Sequence, residues 1–174
     1  MNEELVWYAS YGSNLLRDRL MCYINGGVCK YNEKDYKEGC KDKHEPICEK
    51  PVMLPYKMYF GNPSSSWGPG GVSFLNRDEP GETYGRMYLI RKSQFETIWK
   101  LESKGSDWYN FRIHLNENEP DEIPIYTVTN IGKLDDYKPS DKYINVVARG
   151  LKETYPELSW EKIDEYLEDC KQIR

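Results

Sequence analysis

The stretch YASYGSNLL, residues 8–16, places Gly-Ser-Asn between two segments of different periodicity. On its N-terminal side ELVWYAS (4–10) is β-branched and aromatic enough for a strand. On its C-terminal side LLRDRLMCYI (15–24) spaces Leu15, Leu16, Leu20 and Ile24 as a helix does, until the glycine pair 26–27 stops it. A strand–loop–helix unit exposes the first N–H groups of its helix, and the helix dipole makes that end receptive to a carboxylate or an oxyanion. Gly12 allows close backbone approach, while Ser13 and Asn14 add short polar groups. The same residues also make an ordinary helix cap, so the pattern alone leaves both readings open.

Outward from this unit, residues 28–50 are polar, charge-rich and without periodicity, which reads as a long loop or insertion. Strands are expected at 51–61, 70–75 and 83–90, linked by the turn-forming runs NPSSSWGP and NRDEPGE. Ser93 and Glu96 have the spacing of a capping box and open a helix through about 95–102. Two more strands, 107–115 and 123–130, flank the acidic turn NENEPDE. Ser140 and Ser159 stand as N-caps of helices 141–153 and 160–172, the latter with Trp160, Ile163, Tyr166, Leu167 and Cys170 on one face. Five to six strands flanked by helices predict an α+β fold on a mostly antiparallel sheet or barrel. The expected organisation is a single domain, 1–174, with a polar insertion at about 26–50.

The formal net charge is −5 and the cationic residues form no stripe, so nucleic acid is not an expected partner. The beginning, MNEELVWYAS, is acidic where a signal peptide would be basic. No stretch approaches the roughly 18 apolar residues of a membrane span, and a cytoplasmic location is expected. Five cysteines, an odd number, read as thiols. There are two histidines, His44 and His114, and no local Ser/His/Asp signature. The YGSN serine lacks the frame of a nucleophile elbow, and neither a P-loop nor a dinucleotide-binding glycine loop is present. Cys29, Cys40, His44 and Cys48 lack the close cysteine pair of common zinc sites. Neither a metal nor a cofactor is expected.

YGSNL after an apolar strand resembles the γ-glutamyl cyclotransferase (AIG2-like) superfamily, and most of the chain extends the likeness in the same order. YKMYFGNPSSSWGPGGVSF (56–74) is similar to that family's strand, glycine loop and strand, and PGETYGRMYLI (80–90) to its next strand. FETIWKLESKGSDWY (95–109) resembles its helix ending in a glutamate, followed by a loop and a tyrosine. PIYTVTN (124–130) and KPSDKYINVVARGLKE (138–153) resemble its closing strand and final Pro-Ser-x-x-Tyr helix. Two departures bear on the pocket: Ser103 stands where the family usually has glycine, and the 26–50 segment is longer than its counterpart.

The resemblance implies cleavage of a γ-glutamyl amide by the substrate's own α-amine, releasing 5-oxoproline and an amine or amino acid, with a small-molecule substrate as the partner. The substrate supplies the nucleophile, so the protein needs a base that becomes an acid, and oxyanion donors. Glu102 is the candidate for base and acid: it falls at the end of an expected helix, where the dipole disfavours a carboxylate and raises its pKa. Glu96 is better accounted for by the cap. Tyr11, Gly12, Ser13, Asn14 and Leu15 are the implied loop for the oxyanion and glutamyl end, and Tyr109 and Tyr143 match pocket positions. Trp67 is a candidate for the rim. Two other readings share these residues: removal of a γ-glutamyl group from a biosynthetic intermediate, and a non-catalytic binding module.

Overall fold

Strand β1 (Leu5–Ser10) has Val6, Tyr8, Ala9 and Ser10 all buried, as befits a strand with neighbours on both edges. In the computed structural model, which describes residues 3–103 and 107–171, it is the middle strand of a five-stranded sheet. The others are β2 (Glu49–Ser64), β3 (Gly70–Arg91), β4 (Phe111–His114) and β5 (Ile125–Thr129), in the order β2-β3-β1-β5-β4. Pairing is antiparallel except between β1 and β5, where Trp7 and Tyr8 run parallel to Ile125 and Tyr126.

The expected strands 70–75 and 83–90 are one strand, so there are five rather than six among the described residues. Asn76–Glu82 do not turn the chain. The register shifts twice, from Leu54 opposite Thr83 to Tyr56 opposite Pro80, and then to Lys57 opposite Asn76. The turn-forming residues are thus taken up as extra length on β3, bulging beside the shorter β2 and bending the hairpin into two arms. Strand 107–115 is likewise shorter than expected, because Asp107–Tyr109 form a turn before β4.

The helices are α1 (Arg17–Asn25), α2 (Lys92–Ser103), α3 (Asp141–Thr154) and α4 (Trp160–Cys170). Ser140 and Ser159 cap α3 and α4 as expected, accepting from the N–H groups of Tyr143 and Lys162. The Ser93–Glu96 box is corrected: α2 begins earlier, and Gln94 reaches back to the N–H of Arg91 at 3.0 Å. On α4, Ile163, Leu167 and Cys170 are buried, while Trp160 on the first turn is 51% exposed and leaves the expected face. The expected extension of that helix to residue 172 lies outside the described residues. None of the helices among the described residues is long and apolar enough to cross a membrane.

The 26–50 segment is packed, not loose. Gly26 and Gly27 both adopt φ of +76°, which reverses the chain after α1 and brings Cys29 back to Cys22. Those two residues are disulfide-bonded, correcting the expectation of five thiols; Cys40, Cys48 and Cys170 are in no disulfide among the described residues. The odd count and separate surroundings gave no sign of a pair that depends on a glycine reversal. Cys29, Tyr31, Asn32, Tyr36 and Cys40 are buried, and Cys40 N–H bonds back to the last turn of α1. Among the described residues no group of three or more His, Cys, Asp or Glu is arranged to hold a metal ion.

Candidate active site

The last β1 residue paired with β3 is Ser10, opposite Arg86, while β3 runs on toward Gly70 in the other direction. Beyond β1 the bent arm of β3 meets β5 directly: Leu75 N–H donates to Thr129 Oγ1 at 2.9 Å, and that hydroxyl donates back to Leu75 O. Tyr11, Gly12 and a single 3-10 turn (Ser13–Leu15) fill the opening left where β1 stops. Two cavities meet there. A small one, about 40 Å³, is walled by the 11–14 loop, Ser73 and Glu102; a larger one, about 390 Å³, reaches toward α1 and the 26–50 segment. Ser13, Glu102, Tyr109 and Tyr143 line both.

The loop is held by close packing. A Cβ on Gly12 would lie 2.9 Å from Tyr143 Oη and 3.1 Å from Ser73, so any side chain there would have to push these two aside. From behind, Gly150 of α3 presses on the turn, where an added Cβ would sit 2.5 Å from Leu16 N. The loop is not itself the first turn of the expected helix, because α1 begins only at Arg17. The 3-10 turn's own bonding starts with Leu15 N–H to Gly12 O, leaving the N–H groups of Ser13 and Asn14 outside it.

Glu102, near the C-terminus of α2, is half-buried where the two cavities meet. Its Oε1 accepts from Asn14 Nδ2 at 2.6 Å and from Tyr8 Oη at 3.2 Å, and Asn14 Nδ2 also donates to Tyr8 Oη at 2.9 Å. Among the described residues Oε2 has no hydrogen-bond partner and remains for a ligand. Burial pushes the Glu102 carboxyl up to about 7, against the opposing pull of Arg19 and of the Tyr8 and Asn14 hydrogen bonds. Desolvation, more than helix position, thus raises this carboxyl.

The remaining residues singled out in the sequence fall in several places. Tyr11, Gly12 and Ser13 line the small cavity, with Tyr11 Oη donating to Val128 O at 2.7 Å. Asn14 is there too, but its amide is spent on Glu102 and, among the described residues, its buried Oδ1 has no partner. Leu15 lies in the core, lining neither cavity; its carbonyl accepts from Arg86 and Tyr88. Tyr109 donates to Ser73 O at 2.8 Å, and Tyr143 donates to Ser73 Oγ at 2.9 Å while accepting Ser73 N–H at 3.0 Å. Both hydroxyls therefore fix the β3 strand opposite the loop. Trp67 is buried and walls the larger cavity. His44 pairs with Asp42 on the surface and His114 packs on Tyr126, each away from both cavities.

Several cavity residues were not foreseen. Tyr8 lies on the sheet face toward Glu102, as its strand alternation would permit, but so do many tyrosines. Arg19 had a readable signal: it stands on the apolar face of α1, three residues after Leu16 and one before Leu20, where a charge is unexpected. Asn32, Lys34 and Tyr36 come from the aperiodic insertion and had none.

No protein-family model matches the chain. Among curated proteins it is 30% identical over 203 aligned positions to histone deacetylase 5 of Arabidopsis thaliana, covering 94% of this chain but only 30% of that protein. Solved structures share its architecture over nearly its whole length. A gamma-glutamyl cyclotransferase superposes with a TM-score of 0.65 at 22% identity, covering 98% of this chain and 89% of the other. An uncharacterized protein from Homo sapiens gives 0.65 at 24%, covering 99% and 89%, and YkqA from Bacillus subtilis gives 0.62 at 18%, covering 97% and 55%. At these identities the likeness speaks for architecture: the chain has the γ-glutamyl cyclotransferase-like fold.

Proposed function

We propose that the protein cleaves a γ-glutamyl amide by intramolecular aminolysis, with Glu102 as base and then acid. The observation that carries this reading is a single carboxyl raised to about 7 at the junction of two cavities, with one oxygen anchored and the other unpartnered among the described residues. Glu102 takes a proton from the substrate's α-ammonium, and the freed amine attacks the γ-carbonyl to close a five-membered ring. N–H groups of the 11–14 loop stabilise the oxyanion. The carboxyl then protonates the leaving nitrogen and the C–N bond breaks. Over the full cycle the attacking nitrogen gives up two protons and the leaving nitrogen takes two, so the products are 5-oxoproline and an ammonium ion. A carboxyl titrating near neutrality suits both halves of this relay.

The experiment is mass-spectrometric detection of 5-oxoproline from a panel of γ-glutamyl amino acids and amines, with wild type beside Glu102→Gln. Loss of a general base and acid is expected to slow turnover by about 10²–10⁴-fold. Equal product from both proteins would remove Glu102 from the role, and none from either would remove the reaction. A second reading, a binding module without turnover, draws on the plant relative, in which the matched stretch is only 30% of a longer protein. It predicts ligand binding with no 5-oxoproline.

A further inference from the structure

The larger cavity has a corner rich in hydrogen-bond donors. Arg19, on α1, is 2% exposed and lies among aromatic rings, its guanidinium carbon 4.5 Å from the Tyr23 ring centre and 5.3 Å from that of Trp67. Its Nη2 donates to Tyr23 Oη at 2.9 Å and to Tyr36 Oη at 2.8 Å, but among the described residues Nε and Nη1 have no hydrogen-bond partner. A buried guanidinium always carries its charge, and donors left unmet by protein or water are costly. Tyr36 Oη also accepts from Asn32 Nδ2 at 2.9 Å, so Arg19 and Asn32 fill its lone pairs, and the Tyr23 hydroxyl is in hydrogen-bond contact with it. Lys34 lines the same corner, and burial, then the Arg19 charge, holds its ammonium below the ordinary lysine value. Two cations and the Tyr36 hydroxyl therefore line a cavity whose one acidic lining residue among those described is Glu102.

We propose that Arg19, Lys34 and Tyr36 form a carboxylate subsite, which takes an acidic group on the portion of the substrate that departs. The assignment of that group to the departing portion rests on the cyclotransferase reading. The small cavity and the 11–14 loop then face the glutamyl end, and the bond to be broken lies between them at Glu102. The site selects γ-glutamyl compounds whose leaving amine bears a carboxylate over those of simple amines. The 26–50 segment, which supplies Lys34 and Tyr36, is the element that sets this preference.

The test uses glutaryl-alanine and glutaryl-alaninamide, which lack the α-amine and cannot cyclise. Both keep the carboxylate of the glutamyl end, and only the first has one on the leaving portion. Calorimetry on the full chain is expected to show the acid binding about tenfold more tightly than the amide, the worth of one charge-assisted contact. Lys34→Gln, and separately Tyr36→Phe, should bring that ratio toward one. Equal affinities in the wild type, or no binding of either probe, would overturn the subsite. Formation of 5-oxoproline from γ-glutamyl-alanine is scored separately. Acid-selective binding without 5-oxoproline keeps the subsite and discards the cyclotransferase reading, and 5-oxoproline with equal affinities does the reverse.

Discussion

Glu102 is set by opposing forces of different origin. Burial favours the neutral acid, whereas Arg19, Tyr8 and Asn14 favour the carboxylate, and the outcome is a pKa of about 7. On the proposed mechanism the base must be ionised, so kcat/KM should rise with pH along a limb near that value. Tyr8→Phe removes one donor to the charged form while keeping the ring, so the limb should move upward, by less than about one pH unit. A limb that stays put or moves down would show that Tyr8 does not hold the charge. Stability follows the same proton. The native carboxyl binds its proton more tightly than the unfolded one, so the wild type should lose stability as pH rises from about 4.5 to 7, at up to about 1.4 kcal/mol per pH unit. Glu102→Gln carries no such proton, and its stability relative to wild type should increase across that window in denaturant titrations. A pH-independent difference would contradict the assigned shift.

At the scale of elements, two contacts hold the site in place. Helix α3 braces the loop through Gly150, where a Cβ would strike the backbone of Leu16 and the side chain of Leu15. Backbone cannot swing aside as a long side chain would, so Gly150→Ala should cost about 1–3 kcal/mol of stability, although alanine is the better helix former. An unchanged or raised Tm would mean that α3 and the loop are not in that contact. The second brace is the Cys22–Cys29 disulfide, which closes the reversal leading to Asn32, Lys34 and Tyr36. A cross-link of this loop length restrains the unfolded chain by about 2–3 kcal/mol. Cys22→Ser should therefore lower Tm, and should also reduce the preference for the acid-bearing probe. Reductant should lower the wild-type Tm and leave that of the variant unchanged. A wild-type Tm indifferent to reductant would remove the brace.

Across the whole molecule, what the sequence discloses is what neighbours in sequence decide. The caps at Ser140 and Ser159, the strand before YGSN and the long apolar hairpin arms are local patterns, and they fixed the fold class. Pairing across distance was not legible: nothing in NRDEPGE separates a turn from a bulge until β2 lies beside it, and the parallel match of β1 to β5 has no local mark. The site follows the same division. Glu102 and the 11–14 loop were readable through a family resemblance, whereas Lys34 and Tyr36 gain meaning only when the glycine reversal brings them toward Arg19. The end of β1, the bent arm of β3, α2, α3 and the 26–50 segment all contribute walls to adjoining cavities. A ligand that spans both should stabilise these distant segments together, because binding raises the free energy of any opening that breaks the site. Hydrogen exchange with saturating glutaryl-alanine is expected to slow in 11–16, 30–37, 70–75 and 140–147 alike, with β4 and α4 unchanged. Protection confined to one of those segments would show that the probe occupies one cavity only, and protection centred on α4 would place the ligand elsewhere on the fold.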